Sequence, residues 1–314
     1  MRFRPLCALA LGAALPACAA DTVGSHVWEP DWARAGGYSA LWLGEDGLDF
    51  VALSDRGSWV RGRLVRDAAG AVSAVAVAAH GPLLRSTGGP LKGGESDAEG
   101  LAKVGDTFYV SYEGVTRVMR HPTLEGVPER IPRHPDFERM QSNSGLEALA
   151  ADAAGRLYAI PERSTAEDGA PLPVGETVPD VGGDGHPFPV YRYDPEDAVW
   201  DWAFSIPREG AFLVSGADFG PDGRLYVLER DFAVIGFRSR IRSFAADGTD
   251  GRVEMVSPLR AHDNLEGISI WRDARGRIRA TMISDDNLRR TLQTTEFVDY
   301  VLSGPDGAAT GADG

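Results

Sequence analysis

Acidic residues recur inside otherwise apolar segments of the chain, where an isolated carboxylate is costly to bury. The segment GLEAL, residues 145–149, is one example, and three other segments have a similar pattern. If the segments converge in the fold, their carboxylates repel one another unless they become protonated or bind a cation. The acids of the four segments are therefore predicted metal ligands: Glu99, Glu147, Asp218 and Glu266. The alternative is that each acid accepts hydrogen bonds from backbone amides or pairs with an arginine.

Other metal donors are scarce. The only cysteines are Cys7 and Cys18, and the six histidines are scattered without a metal-binding spacing. This distribution excludes a thiolate zinc site, an iron–sulfur cluster and a cysteine nucleophile. Oxygen ligands favour Ca²⁺ or Mg²⁺, and we predict Ca²⁺. A serine nucleophile elbow is also absent from the sequence, so a hydrolase of this kind would depend on metal-activated water.

A second set of polar residues stands at or after the ends of predicted strands. Acids at these positions could act as general bases, and the candidates are Glu113, Glu162, Glu229 and Asp285. Arginine directly follows an acid at three strand ends, and guanidinium groups bind phosphate or carboxylate bidentately. The predicted substrate-binding residues are Asp55, Arg56, Arg163, Arg230 and Asn287. Salt bridges between repeats are the alternative role for these acid–arginine pairs.

The elements that must position these residues are predicted to be strands. Helical periodicity is nearly absent between residues 36 and 303, and short apolar runs are bounded by glycine, aspartate and proline. Turns such as Asp46-Gly47, Ala154-Gly155 and Asp222-Gly223 are typical of hairpins. The first acids recur about every 48 to 71 residues, a spacing typical of four-stranded blades.

We therefore predict an all-β protein, a β-propeller with five or six four-stranded blades. The stretch 190–207 would supply strands of a sixth blade, and Phe297–Leu302 would close the ring by pairing with N-terminal strands. The alternative fold is a β-sandwich in which the acids recur by coincidence.

The N-terminal residues predict export. Arg2 and Arg4 precede an apolar run and a small-residue zone, which predicts a signal peptide over residues 1–20. A lipid anchor at Cys18 is the alternative, and both interpretations place the protein in the periplasm or the medium. Residues 21–303 form the predicted propeller domain, with 163–190 as an inserted loop and 304–314 as a disordered tail.

The charge balance limits the partners. The formal net charge is −14 and the sequence pI about 4.9, which argues against attachment to nucleic acid or anionic lipid. No second apolar run is long enough to cross a bilayer. We expect a monomer that binds an anionic small molecule.

Several stretches resemble one family when they are taken in chain order. They are residues 36–39 with 54–57, 97–101, 111–114, 145–149, 228–232, 264–267 and 284–287. Here the sequence is similar to the phytase-like proteins of bacteria, the family called esterase-like activity of phytase. The resemblance implies an exported propeller with ester- or phosphoester-hydrolysing activity, distantly related to calcium-dependent β-propeller phytases. A lysine-rich phosphate pocket has no counterpart here, since Lys92 and Lys103 are the only lysines.

Two classes of function follow from these observations. The first is a metal-dependent hydrolase of an anionic ester or phosphoester. The alternative is a non-catalytic periplasmic propeller that binds a ligand or partner through the same acids and arginines. A lactonase-like, Ca²⁺-dependent hydrolase is a third possibility.

Overall fold

The computed structural model describes residues 20–140, 145–163, 183, 186–233, 235–288 and 292–302. Nearly all of the predicted signal peptide, most of the predicted inserted loop and the predicted tail lie outside these ranges.

The described residues form five four-stranded antiparallel sheets, which are the blades of a propeller. Strand β1 (Asp21–Val27) precedes blade 1, which contains β2 (Tyr38–Leu43), β3 (Asp49–Ser54), β4 (Ser58–Arg66) and β5 (Val72–Pro82). Blade 2 contains β6 (Ala98–Val104), β7 (Thr107–Tyr112), β8 (Arg117–His121) and β9 (Glu129–Arg130). Blade 3 contains β10 (Leu146–Ala151), β11 (Leu157–Pro161), β12 (Phe188–Asp194) and β13 (Val199–Ile206). Blade 4 contains β14 (Leu213–Phe219), β15 (Leu225–Ala233), β16 (Gly236–Phe244) and β17 (Arg252–Val256). Blade 5 contains β18 (Asn264–Arg272), β19 (Ile278–Asp285), β20 (Glu296–Val301) and β1.

The helical content of these ranges is confined to two short 3₁₀ segments, Gly93–Glu95 and Pro135–Arg139. None of the described residues lies in a helix that is long and apolar enough to span a bilayer.

Tight turns connect the strands where the sequence predicted them. In the β2–β3 turn, Asp46 accepts a hydrogen bond from the backbone N–H of Leu48 at 3.0 Å. Gly47 follows with φ 68°, a conformation that a residue with a side chain rarely adopts.

The five four-stranded sheets confirm the predicted all-β propeller, with five blades.

The prediction that residues 190–207 supply strands of a sixth blade is wrong. These residues form β12 and β13, which complete blade 3 because Leu157 in β11 pairs with Tyr193 in β12. The long segment between β11 and β12 separates two halves of one blade in the sequence. Strand β12 begins at Phe188, so the end of the predicted 163–190 insertion is part of the sheet.

The N-terminal strand closes the ring. Strand β1 pairs antiparallel with β20, from Asp21 opposite Val301 to Val27 opposite Glu296. Blade 5 thus takes its outer strand from the other end of the domain, as predicted for Phe297–Leu302. This pairing covers an edge that would otherwise be open.

Five apolar clusters of described residues lie between neighbouring blades, one at each junction of the ring. At the junction of blades 5 and 1, Trp28 stacks on Tyr38 with ring centroids 5.3 Å apart and packs near Phe50 and Phe297. Each large apolar side chain contributes about 1.5 to 3 kcal/mol when it is fully buried. These clusters fix the blades around one axis and so position the inner strands.

A buried ion pair also ties blade 1 to blade 5. Asp299 in β20 accepts hydrogen bonds from Arg66 at 2.7 Å, Thr281 at 2.6 Å and the backbone N–H of Val72 at 2.9 Å. The side chains of Asp299 and Arg66 are 0% and 8% exposed. Loss of the aspartate charge would leave a buried guanidinium without its nearest counter-charge.

We expect Asp299→Asn to lower the free energy of unfolding by about 3 to 5 kcal/mol, measured by urea denaturation followed by tryptophan fluorescence. The matched control is Asp201→Asn, because Asp201 pairs with Arg192 at 2.6 Å on the exposed surface. That change should cost less than about 1 kcal/mol. Equal effects of the two substitutions would contradict the proposed role of the Asp299 ion pair.

Candidate metal centre at the propeller mouth

The inner strand of every blade carries the same irregularity near the end at which it begins, called the mouth below. In β2, β6, β10, β14 and β18, the pairing with the second strand skips one residue. Such a β-bulge breaks the alternation of side chains and re-aims the skipped one. The skipped residues, called the bulge residues, are Ser39, Glu99, Glu147, Ser215 and Glu266.

Three of the bulge residues are glutamates that line the central opening. The exposed fractions of Glu99, Glu147 and Glu266 are 8%, 5% and 6%. Neighbouring inner strands lie so close that a Cβ atom on Gly216 would be 2.3 Å from the Glu266 carbonyl oxygen. The structure therefore brings these three predicted residues together around the axis.

Asp218, the fourth predicted metal ligand, is not part of this group. The equivalent bulge position in blade 4 is Ser215. Asp218 lies further along β14 and accepts hydrogen bonds from the Ile270 backbone N–H at 2.7 Å and the Ser269 hydroxyl at 3.1 Å. Burial raises the pKa of Asp218 to about 7. Its contacts join blade 4 to blade 5. Asp218 therefore has the alternative role left open by the sequence, in which an acid accepts hydrogen bonds from backbone amides.

Each blade has one further residue at the mouth, called its rim residue, which lies opposite the start of the inner strand. In blades 1 to 3, the backbone N–H of the rim residue donates to the carbonyl oxygen just before the inner strand. In blades 4 and 5, the rim residue pairs with the first residue of the inner strand. The rim residues are Asp55, Glu113, Glu162, Arg230 and Asp285.

The rim residue of blade 4 is therefore Arg230, and the prediction of Glu229 as a base in this group is not supported by its position. Glu229 is fully buried and accepts hydrogen bonds from Arg240 at 2.7 Å and Arg242 at 2.6 Å. Successive side chains of a strand point to opposite faces. The one-residue offset thus places Glu229 among arginines of β16, on the other side from the mouth.

Bulge and rim carboxyl groups meet at the mouth, and Asp97 joins them from just before β6. These carboxyl groups influence one another's pKa and are together called the carboxylate cluster. Its members are Asp55, Asp97, Glu99, Glu113, Glu147, Glu162, Glu266 and Asp285.

Arg230 lies inside the cluster. It donates hydrogen bonds to Glu266, to the Asn264 side-chain oxygen at 3.0 Å and to Glu162 at 3.2 Å. Burial lowers the pKa of Arg230, but the surrounding carboxylates outweigh this effect and raise it overall. Arg230 thus links blades 3, 4 and 5 by salt bridges, which is the alternative role that the sequence left open for the acid–arginine pairs. Its guanidinium is already paired with carboxylates.

The cluster is destabilised when all of its members ionise. Burial, together with the neighbouring carboxylates, raises the pKa of Glu99 and Glu147 well above the usual value. The same two causes raise the pKa of Glu113 to about 7, of Asp285 to about 8 and of Asp55 to about 6. Protons or bound cations would relieve this repulsion.

Two sets of three carboxylates have the geometry of a cation site. They are Asp97, Glu99 and Glu113, and Glu113, Glu147 and Glu162. In each set the candidate ligand atoms lie within 4.8 Å of one another, and Glu113 belongs to both. The donors are all carboxylate oxygens, which are the hard ligands that Ca²⁺ prefers. The residues therefore fit the predicted ion.

These sets contain only two of the four predicted metal ligands. Glu99 and Glu147 are present, whereas Glu266 is engaged by Arg230. Asp97 was missed by the sequence analysis, although its position two residues before Glu99 could have indicated it. Glu113 and Glu162, predicted as bases, lie among the candidate ligands.

The remaining predicted substrate-binding residues lie around the cluster. Arg56 follows the rim residue Asp55 and is exposed. Arg163 is 36% exposed, and its Nε atom lies 3.2 Å from a Glu162 oxygen. Asn287 is exposed, and its backbone N–H donates to Asp285 at 2.7 Å. Arg56 and Arg163 thus keep solvent-accessible guanidinium groups near the mouth.

Comparison with known proteins identifies relatives at the level of family and of fold. The family model described as "Phytase-like: Esterase-like activity of phytase" matches residues 33–288, which confirms the resemblance found in the sequence. No curated protein matches the chain.

Among solved structures, the catalytic domain of the Coprinopsis cinerea GH62 α-L-arabinofuranosidase has a TM-score of 0.52 at 10% identity. The match covers 91% of this chain and 97% of that one. An endo-1,4-β-xylanase from Bacteroides thetaiotaomicron has a TM-score of 0.48 at 13% identity, with coverage of 86% and 95%. At such low identity, the similarity to the arabinofuranosidase concerns the fold alone.

The raised pKa of Asp285 predicts a pH-dependent stability of the metal-free protein. Its value rises from the usual 3.8 to about 8 in the folded chain, chiefly through burial and the Glu266 charge. The folded state therefore holds the Asp285 proton more tightly. The resulting stabilisation is full below about pH 4 and is lost as the pH rises toward about 8.

We expect the free energy of unfolding in EDTA to fall between about pH 5 and 8 by an amount on the order of a few kcal/mol. Urea denaturation at each pH measures it. Asp285→Asn should flatten this profile, whereas Asp201→Asn should leave it unchanged. Parallel profiles of the wild-type and Asp285→Asn proteins would refute the role given to Asp285.

Proposed function

The chain belongs to the phytase-like family, and from this premise we propose that it is a metal-dependent hydrolase of small anionic esters, foremost phosphoesters. The observation that supports this proposal is the carboxylate cluster at the mouth. Two three-carboxylate sets that share Glu113 offer a place for cations next to accessible arginines.

The proposed ligands are Asp97, Glu99, Glu113, Glu147 and Glu162, and the proposed ion is Ca²⁺. When bound, Ca²⁺ would supply positive charge that polarises an ester or phosphoryl oxygen and activates water. Arg230 holds Glu162 by a hydrogen bond of 3.2 Å and donates a further hydrogen bond to Glu266. The arginine thereby orients one ligand and adds a positive charge that offsets part of the repulsion among the carboxylates.

Two rim carboxyls that lie outside the three-carboxylate sets suit proton transfer. The pKa of Asp55 is raised to about 6 and that of Asp285 to about 8, chiefly by burial and by the charge of Glu266. In the metal-free protein near neutral pH, Asp55 is therefore the more readily ionised of the two and Asp285 the more readily protonated. Such a separation of pKa values between neighbouring carboxyls is typical of base and acid roles. We assign Asp55 as the base and Asp285 as the acid that protonates the leaving group.

The accessible arginines supply the selectivity for an anion. Arg56 follows Asp55, and Arg163 follows Glu162, so the two guanidinium groups stand beside different parts of the cluster. Guanidinium groups bind phosphate and carboxylate through paired hydrogen bonds. The substrate is thus a small molecule with a negative charge next to the scissile ester.

The predicted signal peptide adds a location to this proposal. Export would place the propeller, as a monomer, in the periplasm or the medium. Weak Ca²⁺ sites are typical of extracellular modules. A site built from carboxylates, with few neutral ligands held in place beforehand, would suit that environment.

Calcium binding is the first test. Titration of Ca²⁺ into EDTA-treated and dialysed protein, followed by calorimetry, should show binding and should raise the Tm. Glu113→Gln should weaken the binding at least tenfold, because this residue belongs to both carboxylate sets. Glu45→Gln changes an exposed acid in the β2–β3 turn and should leave the affinity unchanged. Absence of Ca²⁺ binding by the wild-type protein would refute the metal centre.

Turnover is the second test, with p-nitrophenyl phosphate, p-nitrophenyl acetate and a small lactone assayed with and without Ca²⁺. We expect hydrolysis of the phosphate that EDTA abolishes. Asp285→Asn should lower kcat for an alkyl phosphate such as glycerol 2-phosphate by about 10²- to 10⁴-fold, because an alkoxide leaving group needs a proton. Its effect on p-nitrophenyl phosphate should be smaller, because p-nitrophenolate leaves as a stable anion, and Ca²⁺ binding should be retained.

Three other outcomes of this assay are informative. Preferred hydrolysis of the lactone would favour the lactonase-like alternative. Ligand-induced thermal stabilisation without any turnover would favour a binding propeller. Unchanged kcat of Asp285→Asn with the alkyl phosphate would contradict the assignment of the acid.

A further inference from the structure

A separate pocket of about 360 Å³ opens at the outer part of blades 1 and 2. It lies between the segment that follows β5 and the outer strands of blade 2. Its wall includes Tyr112 and Glu95, which stand next in sequence to the cluster member Glu113 and close to Asp97. The pocket is therefore on the mouth side of the propeller, and its volume is within the range of small-molecule sites.

The charge of this pocket is opposite to that of the whole chain. Four arginines line it, whereas Glu95 is the one carboxylate among the described lining residues. The arginines are Arg85, Arg117, Arg130 and Arg133. In a chain with a formal net charge of −14, such a concentration of cations indicates a site for an anion.

Arg117 is held in place by groups that do not neutralise it. Its guanidinium donates to the carbonyl oxygens of Val115 and Glu95, both at 2.7 Å, and lies 4.0 Å from the centroid of the Tyr112 ring. Carbonyl oxygens and a ring face orient the cation without supplying a full negative charge. Burial lowers the pKa of Arg117, Tyr112 and the Glu95 carboxylate partly offset this effect, and the charges of Arg133 and Arg130 lower the pKa further.

The other arginines leave capacity for a ligand. Arg130 donates to the Ser86 hydroxyl at 3.2 Å, a neutral partner. Arg85 pairs with Glu95 at 3.0 Å, and both side chains of that pair are partly exposed. Arg133 is exposed at the edge of the pocket. A bound anion would compensate the charges of Arg117, Arg130 and Arg133 together.

Apart from Ser86, the rest of the lining is apolar. Leu84, Leu91, Met119 and Ile131 line the pocket together with the Tyr112 ring. An inorganic anion would use only the arginines and would leave this surface in contact with water. A ligand with an apolar body and a charged end would cover both parts.

We propose that this pocket is a binding site for an amphipathic organic anion, which carries a carboxylate or phosphate at one end and an aromatic or aliphatic body at the other. The guanidinium groups of Arg117, Arg130 and Arg133 bind the charged end, since such groups accept both carboxylate and phosphate. The apolar lining binds the body. This site contains none of the candidate metal ligands, so it does not rest on the proposed hydrolysis.

The test uses the full chain in EDTA and three naphthalene probes of the same size: naphthalene-2-carboxylate, 2-naphthyl phosphate and the neutral naphthalene-2-carboxamide. Titration calorimetry should show binding of at least one anion, with an affinity that falls as the salt concentration rises. The amide should bind at least tenfold more weakly. Preference for the carboxylate or the phosphate then identifies the charged group that the site selects.

The variant Arg130→Gln/Arg133→Gln should weaken anion binding at least tenfold, because it removes two charge-assisted contacts. Both residues are exposed, so the fold should tolerate the change. Arg275→Gln, an exposed arginine in the β18–β19 turn, is the matched control and should bind like the wild type. Ile131→Ser should weaken the binding of all three probes.

Three results would overturn the proposal: no binding of either anion at millimolar concentration, equal affinity for the amide, or unchanged anion binding in Arg130→Gln/Arg133→Gln. Hydrolytic activity does not enter any of these measurements. Loss of the metal-centre proposal would therefore leave the outcome here unaffected, and the reverse also holds.

Discussion

Repulsion among buried carboxylates at the mouth is the constraint on which the rest of the structure depends. Glu99, Glu147 and Glu266 are each less than a tenth exposed and face one opening. Their charges cannot all persist without protons, a cation or Arg230 nearby. Arg230 takes the place of an acid in the rim and donates hydrogen bonds to Glu266 and Glu162, which supplies part of the positive charge that the cluster requires. The same repulsion among buried carboxylates thus destabilises the fold and makes the site suitable for a cation.

The propeller supplies the rigidity that this repulsion requires. Apolar clusters at each junction and the pairing of β1 with β20 hold the blades in a closed ring. The buried contact of Arg66 with Asp299 adds a tie across the same closure. Because the inner strands cannot move apart independently, a bulge repeated in each one delivers side chains to a common place. Structures often carry such local cost at functional sites while the remainder is internally consistent.

The mouth side of the protein thus presents two regions of opposite charge. The carboxylate cluster suits cations, and the arginine-lined pocket of blades 1 and 2 suits an organic anion. Only a short stretch of chain around Glu95 and Tyr112 separates the pocket from Asp97 and Glu113. A strongly negative chain repels anions at long range, so the proposed anion site depends on the local charge of these arginines.

The sequence by itself determined the all-β class, the repeated blades, the ring closure and the convergence of Glu99, Glu147 and Glu266, because apolar runs and a repeat spacing can be read along the chain. Tertiary structure alone decided the register. A single-residue offset exchanges Glu229 for Arg230, since neighbouring side chains of a strand face opposite ways. Asp218 was likewise assigned to the wrong position of the repeat, because no local feature of the sequence shows that the bulge of blade 4 falls at Ser215. Which acids share a cation depends on distances across blades, and those exist only once the ring is closed.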